Sequence, residues 1–403
     1  MTVKINKIHD FTTKLRQPYA LSRLKEYVKW QKALRQGPEI EMPNLTPISI
    51  NLDLTTACNF RCDHCIDLDV INSKEKFDHR KLLASLENMI DRGLRSVTLI
   101  GGGEPTLYPW FPEIVKFLKN HGVQIGIVSN GSRGKILAIA AKYLKKEHKD
   151  WMRFSVDAGT DSTWQKIHKP LSNITLEEVC EWAPTIHAVN PNLPIGYSFL
   201  IVWEKSENSK KIKIVPNVNE IVIAAKMAKA YDFNYMSVKP VLTRFETDSV
   251  EAILNINTKT IADIRLAIDE ARARYETENF KIIESINLKV LEDGNWQDYA
   301  HQPRTCHMSV FRQVLSPIGL FHCPGFRGIE KSYINDKNAY CDENLNKTQK
   351  AVASILAEFD ASKECADCTC LLNQPNWWIE KMVNGEIDIS EIKPTEERLD
   401  YFF

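Results

Sequence analysis

The sequence predicts an α/β protein built on a parallel sheet, and three observations carry that prediction. Between Pro47 and Pro240 six strand-like runs alternate with helix-like ones: Ile48 to Leu54, Ser96 to Ile100, Val123 to Val128, Met152 to Val156, Ile195 to Val202 and Tyr235 to Val238. The second, third and fourth runs recur at intervals of about 30 residues, the period of a βα unit. Polar or glycine-rich turns follow the strand ends, which is where parallel α/β folds place their sites.

Ahead of the first strand, Tyr19 to Gln36 reads as an amphipathic helix with Leu21, Leu24, Val28 and Leu34 on one side and Gly37-Pro38 as its stop. In the first strand Ile48, Ile50, Leu52 and Leu54 alternate with polar residues, the period of a strand with two different faces. Residues 241–300 read as a connecting region whose helix, near Thr258 to Tyr275, offers Ile261, Ile264, Leu266 and Ile268 as core. The expected division is a helical extension over 1–46, an α/β domain over 47–240, the connection over 241–300 and a cysteine-rich domain over 301–403.

Composition excludes several classes. With 403 residues the chain exceeds one typical domain, and 43% hydrophobic content with 16 Gly and 18 Pro fits a large packed core rather than disorder. The 52 Lys and Arg balance 52 Asp and Glu, so no global field draws nucleic acid or an anionic membrane. The run Met1 to His9 lacks a signal-peptide apolar stretch, and no 18-residue apolar run occurs. The expectation is a cytoplasmic protein, in which ten cysteines point to metal rather than to disulfides. The charge runs Lys142 to Lys149 and Glu204 to Lys213 read as solvated surface, Lys166 to Lys169 as a surface helix end, and Cys180 as a small buried hydrophobe.

Three of those cysteines lie within eight residues, in Cys58-Asn59-Phe60-Arg61-Cys62-Asp63-His64-Cys65. A 4Fe-4S cluster normally takes four thiolates. A C-x3-C-x2-C run with no fourth partner nearby therefore leaves one iron open to a small molecule. Zinc favours a closed tetrahedral set from paired knuckles, which an isolated run after a buried strand does not supply.

These cysteines, together with the polar turns after the next three strands, resemble the radical S-adenosylmethionine (radical SAM) enzyme superfamily. The trio corresponds to Cys58, Cys62 and Cys65, with His64 where the family usually has an aromatic ring that can lie beside adenine. Gly101-Gly102-Gly103-Glu104-Pro105 looks like the family's turn for the methionyl amino group, where glycines let backbone carbonyls approach and Glu104 adds a charge-assisted acceptor. By family position, Ser129 and Asn130 after the third strand and Ser155 and Asp157 on the fourth would line the ribose and carboxylate of S-adenosyl-L-methionine. The resemblance implies a partial (β/α)6 TIM-like barrel, whose lateral opening a second domain or a large substrate can fill.

The last hundred residues or so carry Cys306, Cys323, Cys341, Cys365, Cys368 and Cys370. Cys306 and Cys323 flank a hairpin-like turn, so their thiols can meet across antiparallel strands. Cys365-Ala366-Asp367-Cys368 offers two more from one turn. This order resembles the family's auxiliary-cluster domains, called SPASM with two clusters and Twitch with one. Cys306, Cys323, Cys365 and Cys368 follow the Twitch order and suffice for one auxiliary 4Fe-4S cluster. Three residues separate Gly319 from Cys323 where the family more often has four, and Cys341 and Cys370 are left over. A zinc knuckle is the alternative reading of the same spacing.

The resemblance implies an oxidoreductase in which a donor such as flavodoxin or ferredoxin reduces the open-iron cluster. S-adenosylmethionine is then split to methionine and a 5'-deoxyadenosyl radical that takes hydrogen from a substrate, with the auxiliary cluster accepting an electron. The 46 residues before the barrel show one helix and not the leader-binding module common among members that modify ribosomal peptides. A small-molecule substrate of the sugar, aminocyclitol or nucleotide type is therefore expected. The alternatives are a peptide maturase that installs a cross-link, thioether or epimer, and a non-enzymatic electron-transfer or structural zinc protein.

Overall fold

All six expected strands are present: β1 (Ser49–Leu52), β2 (Ser96–Leu99), β3 (Gln124–Ser129), β4 (Trp151–Ser155), β5 (Ile195–Ile201) and β6 (Tyr235–Pro240). The computed structural model describes residues 11–37, 40–207, 210–243, 252–253, 256–294 and 296–403. Met1 to His9, Pro38 and part of the charge run after Glu204 lie outside them. A short antiparallel pair, β7 (Leu242–Thr243) and β8 (Ala252–Ile253), follows β6.

Four more strands extend the sheet: β9 (Lys281–Glu284), β10 (Arg312–Ser316), β11 (Gly319–Phe321) and β12 (Tyr333–Asn335). The order is β12-β11-β10-β1-β2-β3-β4-β5-β6-β9, with every pairing from β10 to β9 parallel. The parallel run thus has eight strands, and its ends are not joined, so the barrel is open. One of the eight, β9, is not among the expected strands, and β10 is expected as an arm of the hairpin rather than as a barrel strand. Lys281-Ile-Ile-Glu284 and Arg312-Gln-Val-Leu-Ser316 each hold only two apolar residues, too few to register as barrel strands against their surroundings.

The β10–β11 hairpin turns at Ser316 to Gly319, the closing pair of its ladder. Gly319 has φ +138, and a Cβ there would lie 2.6 Å from the Tyr333 ring. The hairpin belongs to the barrel sheet, since β10 pairs with β1 from Ser49↔Arg312 to Leu52↔Leu315. The cysteine-rich region is therefore hydrogen-bonded to the strand that leads into the cysteine trio.

Helices cover the outer face. Ile50, Leu52, Val97, Leu99, Ile125 and Ile127 are fully buried there, and their neighbours Ser49, Asn51 and Ser96 point to the polar interior. The helix Pro18–Arg35 buries Leu21, Leu24 and Val28 as expected, but Leu34, on its last turn, is 38% exposed. In the helix Thr258–Tyr275, Ile264 and Ile268 are buried whereas Leu266 is 68% exposed, because it lies on the opposite face. The closing segment of the chain plugs the floor of the barrel. Ser96 Oγ donates to Tyr401 O at 2.7 Å, Tyr401 N donates to Gln124 Oε1 at 2.8 Å, and the Phe402 ring meets Trp151 edge-on.

Candidate active site

The cysteine loop leaves the C-terminal end of β1 and is held in place by residues distant in sequence. Arg61 N donates to His168 O at 3.0 Å, Asp63 N donates to Ile167 O at 3.1 Å, and Cys58 N donates to Asn72 Oδ1 at 2.9 Å. All three thiols are partly buried and feel one another electrostatically. Burial pushes the Cys65 thiol up to about 12, with Asp67 adding to the effect, and raises Cys62 well above the usual thiol range. Three close thiols that resist ionisation as free groups form a donor set that a cationic iron centre deprotonates and occupies. The set fits a cluster held by three cysteines.

Beside the loop, the glycine turn is sterically required. Gly102 has φ +68, and a Cβ on Gly103 would sit 2.5 Å from Ala57 O and 2.6 Å from Thr55 O. The chain passes directly beneath the cysteine loop, with Glu104 N donating to Ala57 O at 2.8 Å. Glu104 is 3% exposed. Its Oε1 accepts from Thr106 N at 3.0 Å, from the Thr106 hydroxyl and from Ser129 Oγ at 2.8 Å, and its Oε2 accepts from Asn130 N at 2.7 Å. Burial raises its pKa, although these donors oppose the rise. Oε2, with one donor, retains capacity for another N–H. Asn130 Nδ2 also donates to Asn59 Oδ1 at 2.9 Å, so Glu104, Ser129 and Asn130 form one cradle against the cysteine loop.

Asp157 lies past the end of β4 with φ +57, an uncommon backbone state that concentrates at functional positions. Its Oδ2 stands 3.2 Å from His64 Nε2 and 3.4 Å from His168 Nε2, and its Oδ1 accepts from Leu200 N at 2.7 Å. Burial would raise this carboxyl, but the two imidazoles prevail and hold it well below the usual carboxylate range. His64, at the position of the expected aromatic ring, thus turns its ring to Asp157 and packs edge-on against His168 at 5.1 Å. Ser155 is partly exposed on the interior wall, in register with Ser198.

His168 corrects one expectation. The charge pattern of Lys166 to Lys169 predicts a surface helix end, yet His168 is 1% exposed and its Nδ1 lies 3.1 Å from Cys62 Sγ. Its Nε2 lies 2.8 Å from Val156 O, a pure acceptor, so Nε2 carries a proton. The helix Asp161–His168 ends under the cysteine loop, and Lys169 pairs with Asp63 at 2.6 Å. Ligand atoms of Cys62, His64 and His168 all lie within 4.8 Å of one another.

Residues 52–203, which hold all of these site residues, match the family model of the Radical SAM superfamily. Over these residues the chain is a radical SAM protein. As a radical SAM enzyme it uses a 4Fe-4S cluster together with S-adenosylmethionine. A curated relative, an S-adenosylmethionine-dependent nucleotide dehydratase of Flammeovirga pacifica, is 23% identical over 53% of this chain and 81% of its own. Among solved structures, Streptococcus suis SuiB bound to the precursor peptide SuiA has the same fold at TM-score 0.58 and 13% identity, covering 98% of this chain and 83% of that one. SuiB bound to S-adenosylmethionine gives TM-score 0.55 at 14% identity, over 94% and 88%. No helix among the described residues of this radical SAM protein is long and apolar enough to cross a membrane.

The C-terminal cysteines of this radical SAM chain converge as well. Cys306, Cys323, Cys365 and Cys368 pack against a small apolar cluster of Phe326, Phe359 and Ala361. Cys370, outside the expected set, joins them: its thiol interacts with Cys323 and Cys306, and Cys365 interacts with Cys306, Cys370 and Cys323. Burial pushes Cys306 up to about 12. Leu372 N donates to Cys370 Sγ at 3.4 Å, and Asn376 Nδ2 donates to Cys306 Sγ at 3.8 Å. These N–H donors suit thiolate sulfur, so the set fits a cluster. Cys341 is elsewhere, buried 3.3 Å from Ser85 Oγ, and Cys180 is buried in the core.

Arg327 spans the gap between the two regions. It is 3% exposed and lies just beyond Cys323, with Nε 2.6 Å from Asp53 Oδ2 and a terminal nitrogen 2.7 Å from Asp67 Oδ1. Asp67 in turn accepts from Gly102 N at 3.3 Å. Asp53 is raised to about 8 by burial, with Arg327 opposing. Neither aspartate nor Arg327 carries a sequence signal, because the triad forms only when β1, the cysteine loop and the C-terminal region meet.

Proposed function

We propose that this radical SAM enzyme is an oxidoreductase that acts on a small-molecule substrate. The open-iron cluster is held by Cys58, Cys62 and Cys65, and the observation that supports this most strongly is the packing of the Gly102–Glu104 turn directly against the loop that carries them. When bound, the cluster supplies one electron to the sulfonium of S-adenosylmethionine, breaking the C5'–S bond to give methionine and a 5'-deoxyadenosyl radical.

This chain's own residues seat and align the cosubstrate. Glu104 Oε2 accepts the methionyl ammonium, while Ser129 and Asn130 fix that carboxylate through the hydrogen bonds already present. Ser155 and Asp157 serve the polar edge of the cosubstrate from the opposite side of the site. His64 places its ring beside the adenosyl moiety, with Asp157 setting its orientation. His168 steadies the Cys62 side chain from below. The parallel barrel excludes water and brings the substrate carbon to the rim.

The C-terminal cysteines would hold an auxiliary 4Fe-4S cluster, which would supply an acceptor for the second electron of a net two-electron oxidation. Cys306, Cys323, Cys365 and Cys368, which pack around one small apolar cluster, would be its ligands, with Cys370 beside them as the alternative to Cys368. Arg327 joins this region to the cysteine loop. A flavodoxin- or ferredoxin-type protein is the electron donor, and the domain division at 240 and 300 places the seams at the end of β6 and ahead of β10. The nucleotide-directed relative favours the small-molecule reading, whereas the fold shared with a peptide-bound protein supports a peptide substrate as the alternative. Deoxyadenosine formation stimulated by a nucleotide and not by peptides would support the first. Stimulation by a peptide alone would overturn it.

A further inference from the structure

Among the described residues the three buried lysines and arginines, Lys14, Lys119 and Arg327, are all paired with aspartates. Lys119 meets Asp150 at 2.6 Å, Arg265 and Arg272 both reach Glu284, and Arg327 holds two aspartates. Arg153 and Lys239 are different. Among the described residues neither has a carboxylate within ion-pair distance, and Arg153 Nε is buried with no hydrogen-bond partner. An unpaired cation inside a protein is costly, so its retention at two positions on one interior wall points to a ligand.

Both side chains face the barrel interior. Along β4, Trp151, Arg153 and Ser155 keep partial solvent access while Met152 and Phe154 are fully buried on the helix side, where Phe154 packs against Phe233. Strand register sets the levels: Arg153 is level with Gly196 and Tyr235, Ser155 with Ser198 and Ser237, and Leu200 with Lys239. Leu200 N binds Asp157, so Lys239 stands at the height of the rim and Arg153 lies deeper on the wall. At and below the level of Arg153 the interior is filled by rings. A Cβ on Gly126 would lie 2.3 Å from the Trp151 ring, and one on Gly196 2.2 Å from the Tyr235 ring. The Arg153 guanidinium sits 5.3 Å from the Trp151 centroid.

Lys239 senses Arg153 and Asp157 across this space. Asp157 is already engaged by two imidazoles and a backbone N–H, so it is not a free counter-ion. Burial lowers the Lys239 pKa well below the lysine range, and Arg153 lowers it further, which an incoming anion would relieve. Partial exposure of Arg153, Ser155, Leu200 and Lys239, against fully buried neighbours, shows that the interior retains room between Arg153 and the rim.

We propose that Arg153 and Lys239 form an anion-recognition site in the barrel interior that binds a phosphate or carboxylate group of the small-molecule substrate. The site would hold the charged end of the molecule against the wall between Arg153 and the rim, with its reacting carbon beside Ser155 and Asp157. This rests on the small-molecule reading of the active site, and anion binding and S-adenosylmethionine binding are measured separately so that the two can fail independently.

The test is calorimetric titration of anaerobically reconstituted protein with inorganic pyrophosphate, with malonate and with S-adenosylmethionine. One anion should bind, and Arg153→Gln and Lys239→Met should each weaken it at least about tenfold, the loss of a charge-assisted contact. S-adenosylmethionine affinity should change less than about twofold, and Arg153→Lys should recover part of the anion affinity. Preference for pyrophosphate would assign a phosphorylated substrate and preference for malonate a carboxylate one. Because the cations are unpaired without ligand, both neutral variants should melt at or above the wild-type temperature, which a merely structural role would not allow. Absence of binding by either anion, binding unaffected by the variants, or weakening of S-adenosylmethionine instead would each overturn the proposal.

Discussion

Cys58, Cys62 and Cys65 come from a single loop above β1, whereas Cys306, Cys323, Cys365, Cys368 and Cys370 arrive from a turn ahead of β10, the far end of a hairpin and the turn after the helix Ala361–Glu364. The surroundings differ as much as the assembly. The first set is ringed by groups that bind polar ligands, namely His64, Asp157, His168 and the glycine turn. The second is packed against Phe326 and Phe359, with His322 buried beside them and both its ring nitrogens unpartnered. An open polar site suits chemistry on a bound cosubstrate. A dry, aromatic one suits storage of an electron.

The largest expected effect is on the first region. Replacing Cys58, Cys62 and Cys65 together by Ala should remove about four of about eight iron per chain, by the ligand requirement of a 4Fe-4S cluster. Retention of all iron in that variant, measured after anaerobic reconstitution, would place the cluster elsewhere. Gly103→Ala attacks the same region through sterics. With a Cβ only 2.5 Å from Ala57 O, the cysteine loop must shift, and iron loading at that site should fall while the C-terminal cluster is kept.

Turnover should respond most to the second region. Replacing Cys365 and Cys368 together by Ala should lose about four iron, keep slow uncoupled cleavage of S-adenosylmethionine and stop substrate oxidation. Cys341→Ala should keep full iron, because its thiol is satisfied by Ser85. Loss of iron from Cys370→Ala with none from Cys368→Ala would exchange the fourth ligand. Zinc in place of iron in anaerobically purified protein would remove the redox role of this region.

The link between the regions should be worth less than either cluster but should dominate stability. Arg327→Gln leaves Asp53 and Asp67 without their buried partner, a change that costs about 3 to 5 kcal/mol in comparable pairs. Chemical denaturation should register it, and a change below about 1 kcal/mol, within the range of an exposed pair, would mean that the triad does not join the regions. Smallest is Glu104→Gln, which keeps shape but loses a charge-assisted bond of roughly 1.5 to 3 kcal/mol. S-adenosylmethionine affinity should fall about tenfold or more with iron unchanged.

The same contrast explains what is legible in the sequence. The trio, the glycine turn and the six central strands are local patterns, each contained in a few consecutive residues. The ten-strand sheet is visible only in part, because β9 and β10 are short and rich in polar residues and become barrel strands by pairing with β6 and β1. His168 lies 106 residues from Cys62 and Arg327 lies 260 from Asp67, so nothing local marks either contact. Arg153 and Lys239 are ordinary strand cations by sequence, and only the register sets both on the interior wall without carboxylates. Cys370 fits no simple pair by its spacing, although the fold brings it to the other thiols.

Cleavage of S-adenosylmethionine by the anaerobically reconstituted, dithionite-reduced protein tests the central claim most directly. Wild-type protein should form 5'-deoxyadenosine and methionine in equal amounts, and the Cys58, Cys62 and Cys65 triple Ala variant should form neither while still holding iron in its C-terminal region. Equal cleavage by both proteins, or none by wild type with full iron, would contradict the assignment of these three cysteines as the catalytic centre.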